Sequence, residues 1–309
     1  MKKISPSKVF KEKLLKKKKL SGKKNLETIL FCLPAILLIC IVMYIPFLMS
    51  GYYSLTQWNG IAKNPVFIGF SNFADIFSGK SGFLTSLGFT VRYTLLFVIG
   101  SNILALALAV ALTRKFRLAN LYRGIFFIPY IMSMTIVGFI WKFIFTQGLD
   151  KIYELIPAGF LKWSWLGDPK IAFFSVVLVG VWQGLGFYIV LYIAGLQAVP
   201  SDVLEAATVD GATGSQRFFK VVLPLLGPSF TTCIFMSLTN GLKVFDIILA
   251  LTKGGPGTAT YSTTMQIYQE AFTNNNYGMG SAQAILYFIV VMVITQLTLK
   301  AMGSKEVAL

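Results

Sequence analysis

The sequence predicts an all-α polytopic membrane protein with six transmembrane helices and both termini on the cytoplasmic side. Three observations predict it. Of the 309 residues, 55% are hydrophobic and only 13% charged, with a mean hydropathy of +0.70; a soluble domain carries about a quarter charged residues. Six uncharged stretches come close to or exceed the roughly 20 apolar residues that a bilayer requires. Lysines and arginines are also shared unequally between the loops that join these stretches.

The spans are expected at residues 29–50, 93–112, 124–141, 171–199, 221–242 (the fifth running on to 250) and 271–299. The fourth and sixth exceed one bilayer, so tilt or a non-spanning end is expected. The third is the shortest, and Lys142 at its end can snorkel to the interface.

Orientation follows from the positive charges. Residues 1–28 hold eleven lysines, 113–123 hold Arg114, Lys115, Arg117 and Arg123, 200–220 add Arg217 and Lys220, and the C-terminal tail adds Lys300 and Lys305. The opposite side holds only Lys63, Lys80, Lys151, Lys162, Lys170 and Lys253. The richer side is the cytoplasm, and six spans return the chain to it. This gives a basic tail over 1–28, a membrane domain over 29–300 and a short tail over 301–309.

The net charge of +16 on its own would suggest nucleic acid, but its concentration at the N-terminus points to membrane lipid. Lys16–19 and Lys23–24 suit retention at the anionic inner leaflet. Val9, Phe10, Leu14 and Leu15 fit a short surface helix among them. The first apolar run is too long for a signal-peptide core, no small-residue cleavage site closes it, and five more spans follow.

Much chemistry is excluded. The chain has no His, the commonest metal ligand and general base. Cys32, Cys40 and Cys233 all lie in apolar runs and imply no disulfide framework. No phosphate-binding motif is complete: Gly79-Lys80-Ser81 lacks the earlier glycine, because position 74 is Ala, and Gly254-Gly255-Pro256-Gly257 lacks the lysine and reads as a tight turn.

The most informative stretch is the loop between spans four and five, PSDVLEAATVDGATGSQRFFKVVLPLLGPS from Pro200. It has room for two short helices. Asp202 and Glu205 at three-residue spacing suit a capping box. Gly211 suits a helix C-terminus. Thr213 or Ser215 can cap a second helix carrying Arg217, Phe218, Phe219 and Lys220, and Pro224 then falls in the first turn of span five. Small Ala206 and Ala207 permit close approach to a groove. Phe218 and Phe219 carry apolar area that needs a partner or a packing role; an ordinary helical loop covering the helix ends is the plainer reading.

This stretch resembles the EAA loop of ABC-importer permeases: Glu205, Ala206, Ala207, three residues ending in Asp210, Gly211, nine residues, Val221, any residue, then Leu223 and Pro224. Flanking segments resemble the carbohydrate-type, maltose-related branch. They are Arg123-Gly124-Ile125-Phe126-Phe127-Ile128-Pro129, the run Leu251-Thr252-Lys253-Gly254-Gly255-Pro256 with Thr260, Tyr268, Ala271 and Phe272, and Gly69-Phe70-Ser71-Asn72-Phe73. The resemblance covers about residues 29–300. It implies a type I ABC importer permease fold and import of a sugar or oligosaccharide. It also implies a second homologous permease, an ABC ATPase dimer and an extracytoplasmic sugar-binding protein as partners. The loop around 200–224 would be the segment that seats in the ATPase. ATP and Mg would belong to that ATPase, with no cofactor in this chain and no enzymatic activity of its own. The setting implied is the plasma membrane of a bacterium.

Polar groups inside spans are functional candidates. Span five offers Ser237, Asn240, Lys243 and Asp246 in steps of three, expected on one drifting helical stripe. Span four offers Trp182, Gln183 and Phe187. The resemblance to maltose permeases places Gly184, Phe187, Ser237, Asn240 and Gly241 near sugar-contacting positions, so the expected pathway is Gln183, Gly184, Phe187, Ser237, Asn240, Gly241 and Lys243. Two plainer readings stand beside it: Lys243 and Asp246 as a structural i,i+3 ion pair, and Asn240 as an interhelical hydrogen bond. Gly180 and Gly184 share a face that suits close helix packing. An ion-coupled secondary transporter is the alternative class, but it leaves the EAA loop unexplained, and the only acid deep in a span region, Asp246, falls near its outer end. A membrane enzyme fits poorly with the absence of His and of clustered acids.

Overall fold

The computed structural model describes residues 28–113 and 117–303. The basic tail with its lysine clusters and possible surface helix, Arg114 and Lys115, and most of the C-terminal tail with Lys305 lie outside the described residues. The chain divides into two units, Met1–Tyr53 and Ser54–Leu309, and each is described by itself.

In the first unit the uncharged run forms helix α1, Thr28–Tyr53. A widened π-turn occupies Cys40–Tyr44. It lies just before Pro46, whose missing amide removes a bond from the ladder at this point.

The second unit opens with a short antiparallel hairpin, β1 (Thr56–Gln57) and β2 (Val66–Phe67), with Thr56 opposite Phe67. Helix α2 (Ser71–Phe77) follows. The buried Asn72 amide donates to the carbonyls of Ser54 and Thr56, both at 2.9 Å, and ties α2 to the hairpin. The conspicuous Gly69–Phe73 stretch therefore has a local structural use.

Helix α3 (Phe83–Thr113) starts ten residues earlier than the uncharged stretch does. Its first turns are polar, but their hydroxyls bond back into the helix: Ser86 to the Phe83 carbonyl at 2.8 Å and Thr90 to that of Ser86 at 2.9 Å. Arg92 likewise donates to the Gly88 carbonyl at 3.0 Å. At 1.5 Å per residue the helix is about 46 Å long, well beyond the ~30 Å hydrocarbon core.

The third expected span is not one helix. It is α4 (Ala119–Ile131) and α5 (Met134–Leu155), bent by 98°. Pro129 deletes a ladder bond near the end of α4. Met132 and Ser133 are then extended, and the Ser133 carbonyl accepts the Val137 amide at 3.0 Å to start α5. Helix α6 (Pro169–Ala198) matches the fourth span closely. The Asp168 carboxylate accepts the amides of Lys170 and Ile171, and Pro169 occupies the first turn.

After α6 come α7 (Ser201–Val209), α8 (Gly214–Leu225) and α9 (Gly227–Leu242), the last two bent by 67°. Two features differ from expectation. Pro224 lies in α8, and the straight helix starts at Gly227 with Pro228 in its first turn. The fifth span does not run on to 250 either: α9 ends at Leu242, residues 243–245 are non-helical, and α10 (Asp246–Leu251) is separate. Helix α11 (Thr263–Tyr268) continues into a π-turn at Gln269–Thr273. Helix α12 (Tyr277–Gly303) closes the unit and starts six residues later than the uncharged stretch.

Among the described residues, four helices are long and apolar enough to cross a membrane, and six segments are if each bent pair makes one span. The core of the second unit is α3 against α6. Tyr93 and Phe97 stack at 5.8 Å between ring centres. They pack into the notch left by Gly180 and Gly184: a Cβ on Gly184 would meet the Phe97 ring at 3.4 Å, and one on Gly180 would collide with the Tyr93 hydroxyl. A buried polar clasp joins three helices. Tyr192 of α6 donates to the Asn102 side-chain carbonyl at 2.7 Å, and the Asn102 amide donates to Ser237 of α9 at 2.9 Å.

Candidate functional site

Two features at opposite ends of α9 are candidates. The first is the loop α7–α8. Asp202 and Glu205 do not form the expected capping box. The first turn of α7 has no side-chain cap, and the Asp202 carboxylate accepts the Ser201 hydroxyl at 3.2 Å instead. With Pro200 at the cap position, no amide is left for a reciprocal bond. The complete box lies in the second helix: Thr213 accepts the Gln216 amide at 3.3 Å, and Gln216 accepts that of Thr213 at 2.9 Å.

Helix α7 ends in a Schellman motif. The Ala212 amide donates to the Ala207 carbonyl at 3.0 Å and the Gly211 amide to that of Thr208 at 3.1 Å, with Gly211 at φ +76°. Nothing lies within 4 Å of a Cβ built on Gly211. The demand on this glycine is conformational rather than one of space. Arg217 donates to the Thr208 hydroxyl at 3.0 Å and locks the second helix onto the first. Glu205, Ala206 and Asp210 remain exposed on α7, Ala207 and Leu223 are half-buried, and Pro224 is exposed. Phe219 is 62% exposed beside the half-buried Phe218. Both rings border a cleft of about 610 Å³ whose other wall includes Val110, Leu196 and Val199.

The second feature is a pocket of about 270 Å³ lined by both aromatic and polar residues. It lies by two helix breaks: Tyr130 and Met134 flank the α4–α5 break, and residues 243–247 carry the α9–α10 break and the start of α10. Four expected residues line it: Gln183, Gly184, Asn240 and Lys243. Asp246 lines it too. Gln183 donates to the Tyr130 carbonyl at 3.3 Å, and Asn240 donates to the Tyr188 hydroxyl at 3.2 Å. The interhelical bond weighed for Asn240 is therefore present, yet Asn240 is exposed and still borders the cavity.

Phe187 stacks on Tyr130 at 4.9 Å and braces that wall from behind. Ser237 and Gly241 do not line the pocket. Ser237 is fully buried in the polar clasp, and Gly241 packs against Thr94, where a Cβ would stand 2.9 Å from the Thr94 methyl. Trp182 sits edge-on to Trp141 at 5.4 Å, away from the pocket. The stripe expected through Lys243 and Asp246 does not exist, because the helix stops at Leu242 and a new one starts at Asp246. Nor is the i,i+3 ion pair formed: among the described residues the ion pairs are Lys80–Asp75 at 3.3 Å and Lys151–Glu154 at 2.9 Å.

Sequence reasoning missed the aromatic walls, Tyr93, Phe97, Tyr130 and Tyr188. One signal was available: Tyr188 lies one turn from Gly184, and a tyrosine hydroxyl inside a span needs a partner. Rings and amides around a small cavity suit a ligand that presents both apolar ring faces and hydroxyl groups.

The family described as the binding-protein-dependent transport system inner membrane component matches residues 101–305. The chain belongs to this family. The probable starch degradation products transport system permease protein AmyD of Thermoanaerobacterium thermosulfurigenes is 38% identical over 278 residues, 90% of this chain and 94% of that one. The multiple sugar-binding transport system permease protein MsmF of Streptococcus mutans is 35% identical, over 90% of this chain and 95% of that one. In fold, the chain is similar to one of a bacterial ABC transporter involved in the import of the acidic polysaccharide alginate, with a TM-score of 0.79 at 21% identity, covering 91% of this chain and 96% of that one. The chain is thus a membrane-embedded ABC-importer permease that works with a binding protein. It is a transport subunit and not an enzyme, and an ion-coupled secondary transporter is set aside.

Proposed function

We propose that this permease imports a neutral or acidic sugar or oligosaccharide across the plasma membrane of a bacterium. In this reading a second homologous permease completes the pathway, and an ABC ATPase dimer carries the ATP and Mg. Six spans, two of them the bent pairs, place both termini in the cytoplasm, with the membrane domain over 29–300 and tails over 1–28 and 301–309. The loop within 200–224 docks on the ATPase through Glu205, Ala206, Ala207 and Asp210, shaped by Gly211, Leu223 and Pro224. The substrate pathway runs past Gln183, Gly184, Asn240 and Lys243, with Phe187, Ser237 and Gly241 holding its walls.

The observation that carries this reading is the full-length likeness to a permease named for starch degradation products, together with a complete EAA pattern whose αL glycine sits in the conformation that the turn requires. The test is uptake of radiolabelled maltotriose, maltose and raffinose by a strain deleted for this gene, with and without the gene restored. Loss of uptake of at least one sugar on deletion, and its return on complementation, is expected. Unchanged uptake of a sugar panel retained by the cognate binding protein would refute the reading.

A further inference from the structure

Lys243 lies in the break between α9 and α10, Asp246 begins α10, and both line the same pocket. They are the only charged residues in its lining. Neither side chain has an ion-pair or hydrogen-bond partner among the described residues, although ion pairs form elsewhere in the chain. The polar residues that share this lining are Tyr93, Tyr130, Tyr188, Gln183 and Asn240. Asn240 and Gln183 already donate to protein groups. The pocket therefore holds one unpaired donor head and one unpaired acceptor head, with no net charge.

Two opposite charges held apart at a cavity impose a definite chemistry on what fills it. A hydroxyl both donates and accepts, so neighbouring hydroxyls on one ring can accept from the Lys243 ammonium and donate to the Asp246 carboxylate. A carboxylate or phosphate on the ligand would satisfy Lys243. It would also stand beside Asp246, where repulsion of the same order offsets the gain. We propose that Lys243 and Asp246 are specificity-determining residues that select an uncharged, hydroxyl-rich ring and reject its anionic analogue. This rests on the sugar-importer reading and narrows its substrate class.

The test uses the complete purified importer without its binding protein, so that the binding protein's selectivity does not intervene. The probes are methyl α-glucoside and methyl α-glucuronide, which share a ring and differ by one charge, with affinities measured by equilibrium dialysis. The wild type is expected to prefer the glucoside. Asp246→Asn should shift the affinity ratio roughly tenfold or more toward the glucuronide, because Lys243 is then unopposed. Lys243→Gln should shift it the other way, and the double variant should restore the ratio while weakening both probes. The proposal is overturned if the wild type prefers the glucuronide or binds neither probe, or if Asp246→Asn leaves the ratio unchanged. It is also overturned if either single change lowers the yield of assembled complex, since the charges would then be pairing with protein. The sugar-importer reading fails separately, if sugar uptake is unchanged in the deletion strain.

Discussion

Gly211→Val tests the coupling loop most directly. Gly211 holds φ +76° at the end of α7, and two backbone bonds of the Schellman motif depend on that angle. The Cβ of a valine there has room, since nothing lies within 4 Å of it. The whole cost is conformational, about 1–3 kcal/mol for a non-glycine residue in the left-handed region, with β-branching at the upper end. At 1.4 kcal/mol per factor of ten, the turn would hold its docking shape roughly tenfold or more less often. ATP-dependent maltotriose uptake into vesicles should fall by about that factor, while membrane abundance measured by immunoblot stays normal, because the change lies in an exposed loop and not in the core. Gly211→Asn should lose several-fold less, since asparagine tolerates this region better. Normal uptake by the valine variant at normal abundance would refute the argument; so would equal losses for valine and asparagine.

Other substitutions separate packing from pathway. Gly180→Leu drives a side chain into Tyr93 and the α3–α6 contact, so membrane abundance should drop sharply; normal abundance with normal transport would show that the contact yields. Asn240→Ala removes one hydrogen bond at the pocket, worth about 1 kcal/mol, and should raise the apparent KM several-fold while the binding protein's affinity is unchanged. Identical uptake curves would place the pathway elsewhere. Asn102→Leu removes the carbonyl acceptor of the buried Tyr192 hydroxyl and leaves it only the weaker Cys233 sulfur, at about 1–3 kcal/mol; the thermal midpoint of the purified complex should fall, and an unmoved midpoint would argue against the clasp.

The sequence made some of this architecture readable and hid the rest for identifiable reasons. Uncharged runs located α1 and α6 to within a few residues, because length and the absence of charge are the properties a membrane selects. The same criterion cannot see a change of backbone angle. The bend at Met132–Ser133 and the stop after Leu242 are therefore invisible in composition, even though Pro129 and Gly241 stand near them. The polar first turns of α3 were lost in the opposite way. Ser86 and Thr90 lower hydropathy but remain helical by bonding to their own backbone. At the pocket, Gln183 and Asn240 stood out as amides in apolar surroundings. Tyr130 and Tyr188 did not, because an aromatic ring in a span reads as core until its hydroxyl is seen at a cavity.

The two candidate features are joined by the elements that carry them. Helix α6 bears Gln183 and Gly184 and runs directly into α7, whereas α8 runs into α9, which bears Asn240 and ends at the pocket. The loop is thus the covalent link between two walls of the pocket. Helix α9 has 16 residues, about 24 Å at 1.5 Å per residue, so it sets the distance from the bend at Leu226 to the pocket. The Tyr192–Asn102–Ser237 clasp joins α6 and α9 to α3 between these two ends. The chain also changes angle at three breaks: residues 132–133, Leu226, and residues 243–245, of which the first and last flank the pocket. In the proposed reading, motion at the loop reaches the pocket through α6 and α9, the two helices that connect them.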